Sequence, residues 1–222
     1  MRIIHYGEQG ETCVFLLGYF DAVHVGHRKL IARAKDLAKE RGVSLAALTF
    51  TDAKRGEQVY VFSERVAILS SLGVDYVYAA PFDDAFKNTE GEAFLDTVRE
   101  RCGVSAFVCG EDFRFGKGAI CGELYLTEYC KKHRIECEIL PLVSIGGQKA
   151  SASLAKRYLD EGDIISLNAL LGDCYFIAGT VATEGRHVGR RIGFPTANLH
   201  PRAGKYPLCQ GVYAVHVSLG GR

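Results

Sequence analysis

Residues 1–172 predict a doubly wound α/β domain, with parallel strands and helices on both faces of the sheet. Residues 173–222 predict part of a small antiparallel, β-barrel-like domain. Three observations carry this. Short apolar runs of buried-strand length alternate five times with stretches of helical periodicity. The connections between them are short. No helical stripe follows Leu171, where β-type runs separated by glycine, arginine and proline take over.

Taken in order, CVFLLG (Cys13 to Gly18) is continuously apolar, as expected of a strand buried on both faces. HRKLIARAKDLAKERG places Leu30, Ile31, Ala34, Leu37 and Ala38 on one helical stripe that stops at Gly42. VSLAALTF is the second strand. SERVAILSSLG is the next helix, with Ser63 as its expected N-cap, and VDYVYAA is the third strand. Thr89-Glu90-Gly91-Glu92 fits a capping box ahead of AFLDTVRERCG. VSAFVCG, ELYLTEYCKKHR and IECEILPLV complete the alternation. In the second unit, YFIAGTVATEG and QGVYAVHVSLGG read as antiparallel strands. Two strands with open edges make a poor end for a domain, so the chain is expected to be cut short.

Composition narrows the function classes. Hydrophobic residues make up 48% and charged residues 24% of 222 residues, enough for a sizeable core. A net charge of +1 leaves no globally basic surface for nucleic acid. The N-terminus has no cleavage site of the secretory type and no run long enough to span a membrane, so a cytoplasmic location is the expectation. The eight cysteines contain no C-x-x-C pair and mostly sit among apolar residues, which predicts reduced core thiols without zinc.

The chemistry concentrates in GYFDAVHVGHRKLI. His24 and His27, two of only seven histidines, lie where the first strand gives way to a helix. Beyond a parallel strand's carboxyl end, a helix N-terminus offers free N–H groups and a positive dipole end to phosphate. Histidine donors there can contact phosphate oxygens, and Gly26 lets the backbone approach closely. No P-loop pattern is present. A second concentration is FVCGEDFRFGKG after the fourth strand. Gly110 and Gly116 bound a loop in which Phe113 and Phe115 can wall a flat ring, Asp112 supplies an acid and Arg114 can reach phosphate. Farther on, Thr196 and Asn198 follow a proline-stiffened turn at Pro195 and carry oxygens suited to a hard cation.

H-x-G-H after a first strand resembles the signature of Rossmann-like nucleotidylyltransferases. The longer G-x-F-D-x-x-H-x-G-H, with G-x-D-F-R-F-G downstream, is similar to bacterial bifunctional riboflavin kinase/FMN adenylyltransferases, the FAD synthetases. GRRIGFPTANL resembles the riboflavin kinase motif of the same family. The resemblance implies transfer of AMP from ATP to FMN with Mg²⁺. His24 and His27 would be catalytic. Gly18, Phe20, Asp21, Gly26, Ser151, Ser153 and Lys156 would bind ATP, and the 110–116 loop would bind FMN or ATP. In the kinase half it implies Gly193, Pro195, Thr196 and Asn198 at the nucleotide, with Thr196 and Asn198 on Mg²⁺. The implied partners are ATP, FMN and riboflavin, with neither nucleic acid nor membrane.

The pattern is not matched throughout. Tyr19 stands where asparagine is usual, Ala22 and Ala152 replace a glycine and a serine, Lys156 replaces an arginine, and Pro-His-Pro after Phe50 is absent. No Asp or Glu follows Asn198, so the kinase half is expected to lack its general base and to be inactive. Two other readings stay open: a nucleotidylyltransferase with a non-flavin acceptor, and a flavin or nucleotide binder without turnover.

Overall fold

The computed structural model describes residues 1–53, 56–182 and 196–219. Its sheet strands are β1 (Arg2–His5), β2 (Cys13–Leu16), β3 (Ser44–Phe50), β4 (Tyr76–Ala80), β5 (Val104–Gly110) and β6 (Glu136–Leu140). They form one parallel sheet in the order β1-β4-β3-β2-β5-β6. The helices are α1 (Val25–Arg41), α2 (Phe62–Ser71), α3 (Asp84–Lys87), α4 (Gly91–Cys102), α5 (Glu123–His133), α6 (Ala152–Glu161) and α7 (Ile164–Leu171).

Strand alternation divides the core. Val14, Leu16, Leu45, Ala47, Val77, Ala79 and Val108 face α1, α2, α6 and α7. Phe15, Ala46, Leu48, Tyr76, Tyr78, Phe107 and Cys109 face α4 and α5. With both faces covered, every residue of β2 and β4 is buried, which is why these strands read as unbroken apolar runs. α1 stops at Gly42, as its stripe implies.

Several expectations need correction. The sheet has six strands rather than five. The added β1 is an edge strand in which only Ile4 is buried, so RIIH carries no apolar run. α2 starts after Val61, not at Ser63, and Glu64 folds back to accept the Val61 N–H at 3.1 Å. α4 is capped at Glu90 without a side-chain bond, because the Thr89 hydroxyl donates to the Ala85 carbonyl at 3.1 Å. In the C-terminal unit, β9 (Gly179–Val181) pairs antiparallel with β10 (Leu199–Pro201), not with described residues 210–219 of QGVYAVHVSLGG, whose last two residues lie outside the described ones. Described residues 210–219 form no strand.

Two short strands, β7 (Ser144–Ile145) and β8 (Gln148–Lys149), make a hairpin before α6. Among the described residues no helix is long and apolar enough to cross a membrane.

Candidate functional site

Order β4-β3-β2-β5-β6 reverses direction between β2 and β5, so a crevice opens at the carboxyl ends of those two strands. GYFDAVHVGH follows β2 and GEDFRFG follows β5. The two chemistry-bearing stretches therefore flank the crevice that the sheet topology opens.

The turn after β2 is tightly wound. Phe20 and Val23 take left-handed backbone with φ of 58° and 42°, and both are buried. Such angles are costly for non-glycine residues, Val23 above all because it is β-branched. Gly18 is needed here, since a Cβ on it would lie 2.8 Å from the Phe20 ring. The turn delivers His24 as the N-cap of α1, where its Nδ1 accepts the His27 N–H at 3.4 Å. The two imidazoles stack with centroids 3.8 Å apart and planes 17° from parallel, and Phe20 backs His27 at 4.9 Å. A Cβ on Gly26 would sit 3.1 Å from His24 Nδ1, so any larger residue presses on the stacked ring.

Burial lowers the His24 pKa to about 4, and burial with His24 beside it pushes His27 well below the ordinary value. Both rings are therefore neutral at pH 7. His27 Nδ1 is buried without a hydrogen-bond partner among the described residues, so no protein contact pins its tautomer. The pair offers N–H donors rather than resident positive charge. Positive charge at this end of α1 comes from neighbouring cations, or from protonation on binding.

Those cations were only partly visible in the sequence. Lys149, at the end of β8, pairs with Asp112 of the β5 loop at 2.5 Å, and both act electrostatically on His24. Lys156 of α6 donates to the Glu57 carbonyl and acts on Asp21. Asp21 is buried and accepts the Tyr60 N–H at 3.4 Å. Desolvation raises its pKa, against the pull of Lys156 and Arg65. Ser151 caps α6 by accepting the Leu154 N–H at 3.2 Å, while Ser153 is exposed.

Arg65 is fully buried, an unusual place for a guanidinium. It donates to Thr49 Oγ1 at 3.2 Å, to the Tyr60 carbonyl at 2.7 Å, and to Gln58 Oε1 and the Phe50 carbonyl. The Tyr19 ring lies over its face at 5.1 Å and meets Phe50 at 5.6 Å. Tyr19 is thus packed against a clamp that ties Phe50, after which Pro-His-Pro is missing, to Gln58 and Tyr60. Its only advance signal was a charge on the apolar face of SERVAILSS.

On the other side of the β5 loop a cavity of about 370 Å³ is lined by Phe50, Phe82, Phe86, Phe113 and Phe115, with Lys87 and Arg114 at its margin. Phe113 and Phe115 stack at 5.6 Å and 16°. The Arg114 guanidinium turns onto its own loop, donating to the carbonyls of Glu111 at 3.1 Å and Phe113 at 2.8 Å.

The C-terminal site residues are less assembled. Thr196 and Asn198 are exposed, and the Asn198 carbonyl accepts the Ala182 N–H at 2.7 Å beside the β9–β10 pair. Gly193 and Pro195 lie outside the described residues. Among the described residues no group of three or more His, Cys, Asp or Glu side chains could hold a metal ion.

A family model described as FAD synthetase matches residues 7–154, and one described as riboflavin kinase matches residues 171–222. The bifunctional riboflavin kinase/FMN adenylyltransferase of Bacillus subtilis (strain 168) is 31% identical over 223 aligned positions, covering 96% of this chain and 70% of that protein. The protein of the same description from Listeria monocytogenes is 32% identical, with 94% and 68% covered. That of Escherichia coli (strain K12) is 31% identical, with 98% and 72% covered. A crystal structure from Streptococcus pneumoniae, described as a macrolide-efflux protein, superposes with a TM-score of 0.84 at 25% identity over 96% of this chain and 73% of that one.

Proposed function

Because the chain belongs to the bifunctional riboflavin kinase/FMN adenylyltransferase family, we propose that it transfers AMP from ATP to FMN, releasing pyrophosphate and forming FAD. The observation that carries this reading is the stacked pair of neutral histidines at the α1 N-terminus. It lies beyond β2 at the topological switch point, and the loop after the neighbouring β5 walls an aromatic cavity.

In this reading the triphosphate lies along the α1 N-terminus. His24 and His27 donate hydrogen bonds to its oxygens, with Lys149 and Lys156 supplying charge. The flavin ring enters the cavity walled by Phe113 and Phe115, which suits a flat aromatic group. An oxygen of the FMN phosphate attacks the α-phosphorus in line. The bond from that phosphorus to the β-phosphate oxygen breaks, and pyrophosphate carries away the electron pair. No side chain forms a covalent bond. Asp21 and Asp112, already tied to Tyr60 and Lys149, orient the reactants.

Magnesium fits here as an ion that arrives on the triphosphate, because the site's donors are isolated carboxylates rather than a cage. When bound, it offsets charge developing on the phosphates. In the kinase-type segment, exposed Thr196 and Asn198 would present oxygens to a magnesium nucleotide.

The test is to incubate the chain with ATP, FMN and Mg²⁺ and follow FAD by chromatography. FAD and pyrophosphate in equal amounts are expected. Folded protein that binds FMN, as read by fluorescence quenching, but makes no FAD would overturn turnover. No quenching at all would overturn the flavin acceptor.

A further inference from the structure

The turn after β10 does not stand apart from the site. Gly204 O accepts the Gln58 N–H at 2.8 Å, and Gln58 O accepts the Tyr206 N–H at 2.7 Å, so the turn is laced on both sides to residue 58. Between these two bonds Lys205 plunges inward. Its Nζ meets Glu64 Oε2 at 2.7 Å, with the two side chains only 3% and 1% exposed, and it also donates to the Phe176 carbonyl at 3.0 Å. The rings of Tyr60, Tyr175 and Phe176 surround it at 4.5, 4.7 and 5.6 Å.

Tyr206 reaches the other way. Its ring lies under Lys156 Nζ at 5.0 Å, and its hydroxyl donates to the Asp160 carboxylate at 3.0 Å. The Cys209 N–H adds a bond to Leu159 O at 2.9 Å.

Three groups of the proposed site therefore depend on one turn. Tyr60, which holds Asp21 through its N–H and Arg65 through its carbonyl, is packed on Lys205. Gln58, a second acceptor for Arg65, is bonded on both sides by the turn. Lys156 is confined between the Tyr206 ring and the Glu57 carbonyl. Glu64 and Arg65 are consecutive in α2, so one residue faces the C-terminal segment and the next faces the site.

We propose that Lys205 and Tyr206 are positioning residues for adenylyl transfer, acting from the kinase-type segment on Lys156 and on the 56–61 loop. This rests on the reading of the site given above. Lys205 fixes the loop by neutralising Glu64, whose buried carboxylate would otherwise keep only the Val61 and Ala178 N–H groups and no countercharge. Tyr206 limits the rotamers of Lys156, so the ammonium is already placed when the triphosphate arrives.

The test uses the full chain. Tyr206→Leu removes the ring under Lys156 and is expected to raise KM for ATP by about fivefold, with kcat changed less than about twofold. Tyr206→Phe keeps the ring and is expected to restore most of that affinity. Lys205→Met is expected to speed amide hydrogen exchange at Gln58 and Tyr60 by about tenfold or more, and Lys205→Arg to recover part of the protection. Wild-type KM in Tyr206→Leu together with wild-type exchange in Lys205→Met overturns the proposal. Where Lys205→Met fails to fold, the Tyr206 pair decides alone. A wild-type chain that makes no FAD defeats the functional reading, while the exchange measurement still decides whether the turn holds the loop.

Discussion

His24 accepts the His27 backbone N–H and stacks its imidazole 3.8 Å above that of His27, so one side chain both ends the turn and forms half of the donor pair. These two duties separate by substitution. His24→Ala removes both and is expected to cost about 1 kcal/mol of stability and about a hundredfold in FAD formation. His24→Asn keeps a capping oxygen, so its urea midpoint should return to near the wild-type value while the rate stays low. A rate that recovers along with the cap would show that His24 acts only structurally.

The same stack makes stability depend on pH. The folded protein holds His24 at about 4, against roughly 6.5 for an unperturbed histidine. In the folded state the neutral ring is favoured, so this stability is complete above about pH 6.5 and is lost as pH falls towards 4. Between pH 7.5 and 4.5 the wild type should lose about 2 kcal/mol more than His24→Asn in matched urea titrations. Added ATP should raise the His24 midpoint in NMR titration, since a polyanion favours imidazolium. An equal loss in both proteins would rule out His24 as the source.

Gly26→Ala sets helix propensity against geometry. Alanine within a helix is worth roughly 0.5–1 kcal/mol over glycine, but its Cβ would press on His24 Nδ1 from 3.1 Å. Melting should move little or upward, while FAD formation falls about tenfold as the ring is displaced. Unchanged activity would mean that the stack tolerates movement.

Arg65→Met tests the buried clamp. It strands the Tyr60 and Phe50 carbonyls and Gln58 Oε1 without their donor, at an expected cost of about 3 kcal/mol in urea unfolding. Arg65→Lys keeps the charge but serves fewer acceptors and should fall between. A loss under about 1 kcal/mol for Arg65→Met would show that water replaces the guanidinium.

The central strands were readable because both of their faces are buried, and the histidine pair because its spacing is compact. β1 was not, since three of its four residues are exposed. Lys149 was passed over because its partner Asp112 lies on a different loop. Lys205 and Glu64 are 141 residues apart, and nothing local distinguishes that lysine from a surface one. Arg65 looked like an ordinary helix residue until the loop wrapped around it. Local pattern reveals what each segment would do alone; these contacts exist only after the sheet has brought distant loops to one edge.

Phe20 and Val23, left-handed and buried behind the histidines, impose a trade-off on any attempt to harden this protein. Each sits in backbone that costs of order 1–3 kcal/mol, so relaxing the turn is an obvious route to a higher melting temperature. Yet that tension is what thrusts residues 24 to 27 outward from the end of β2. A sequence improved here for durability would surrender the platform on which its chemistry stands.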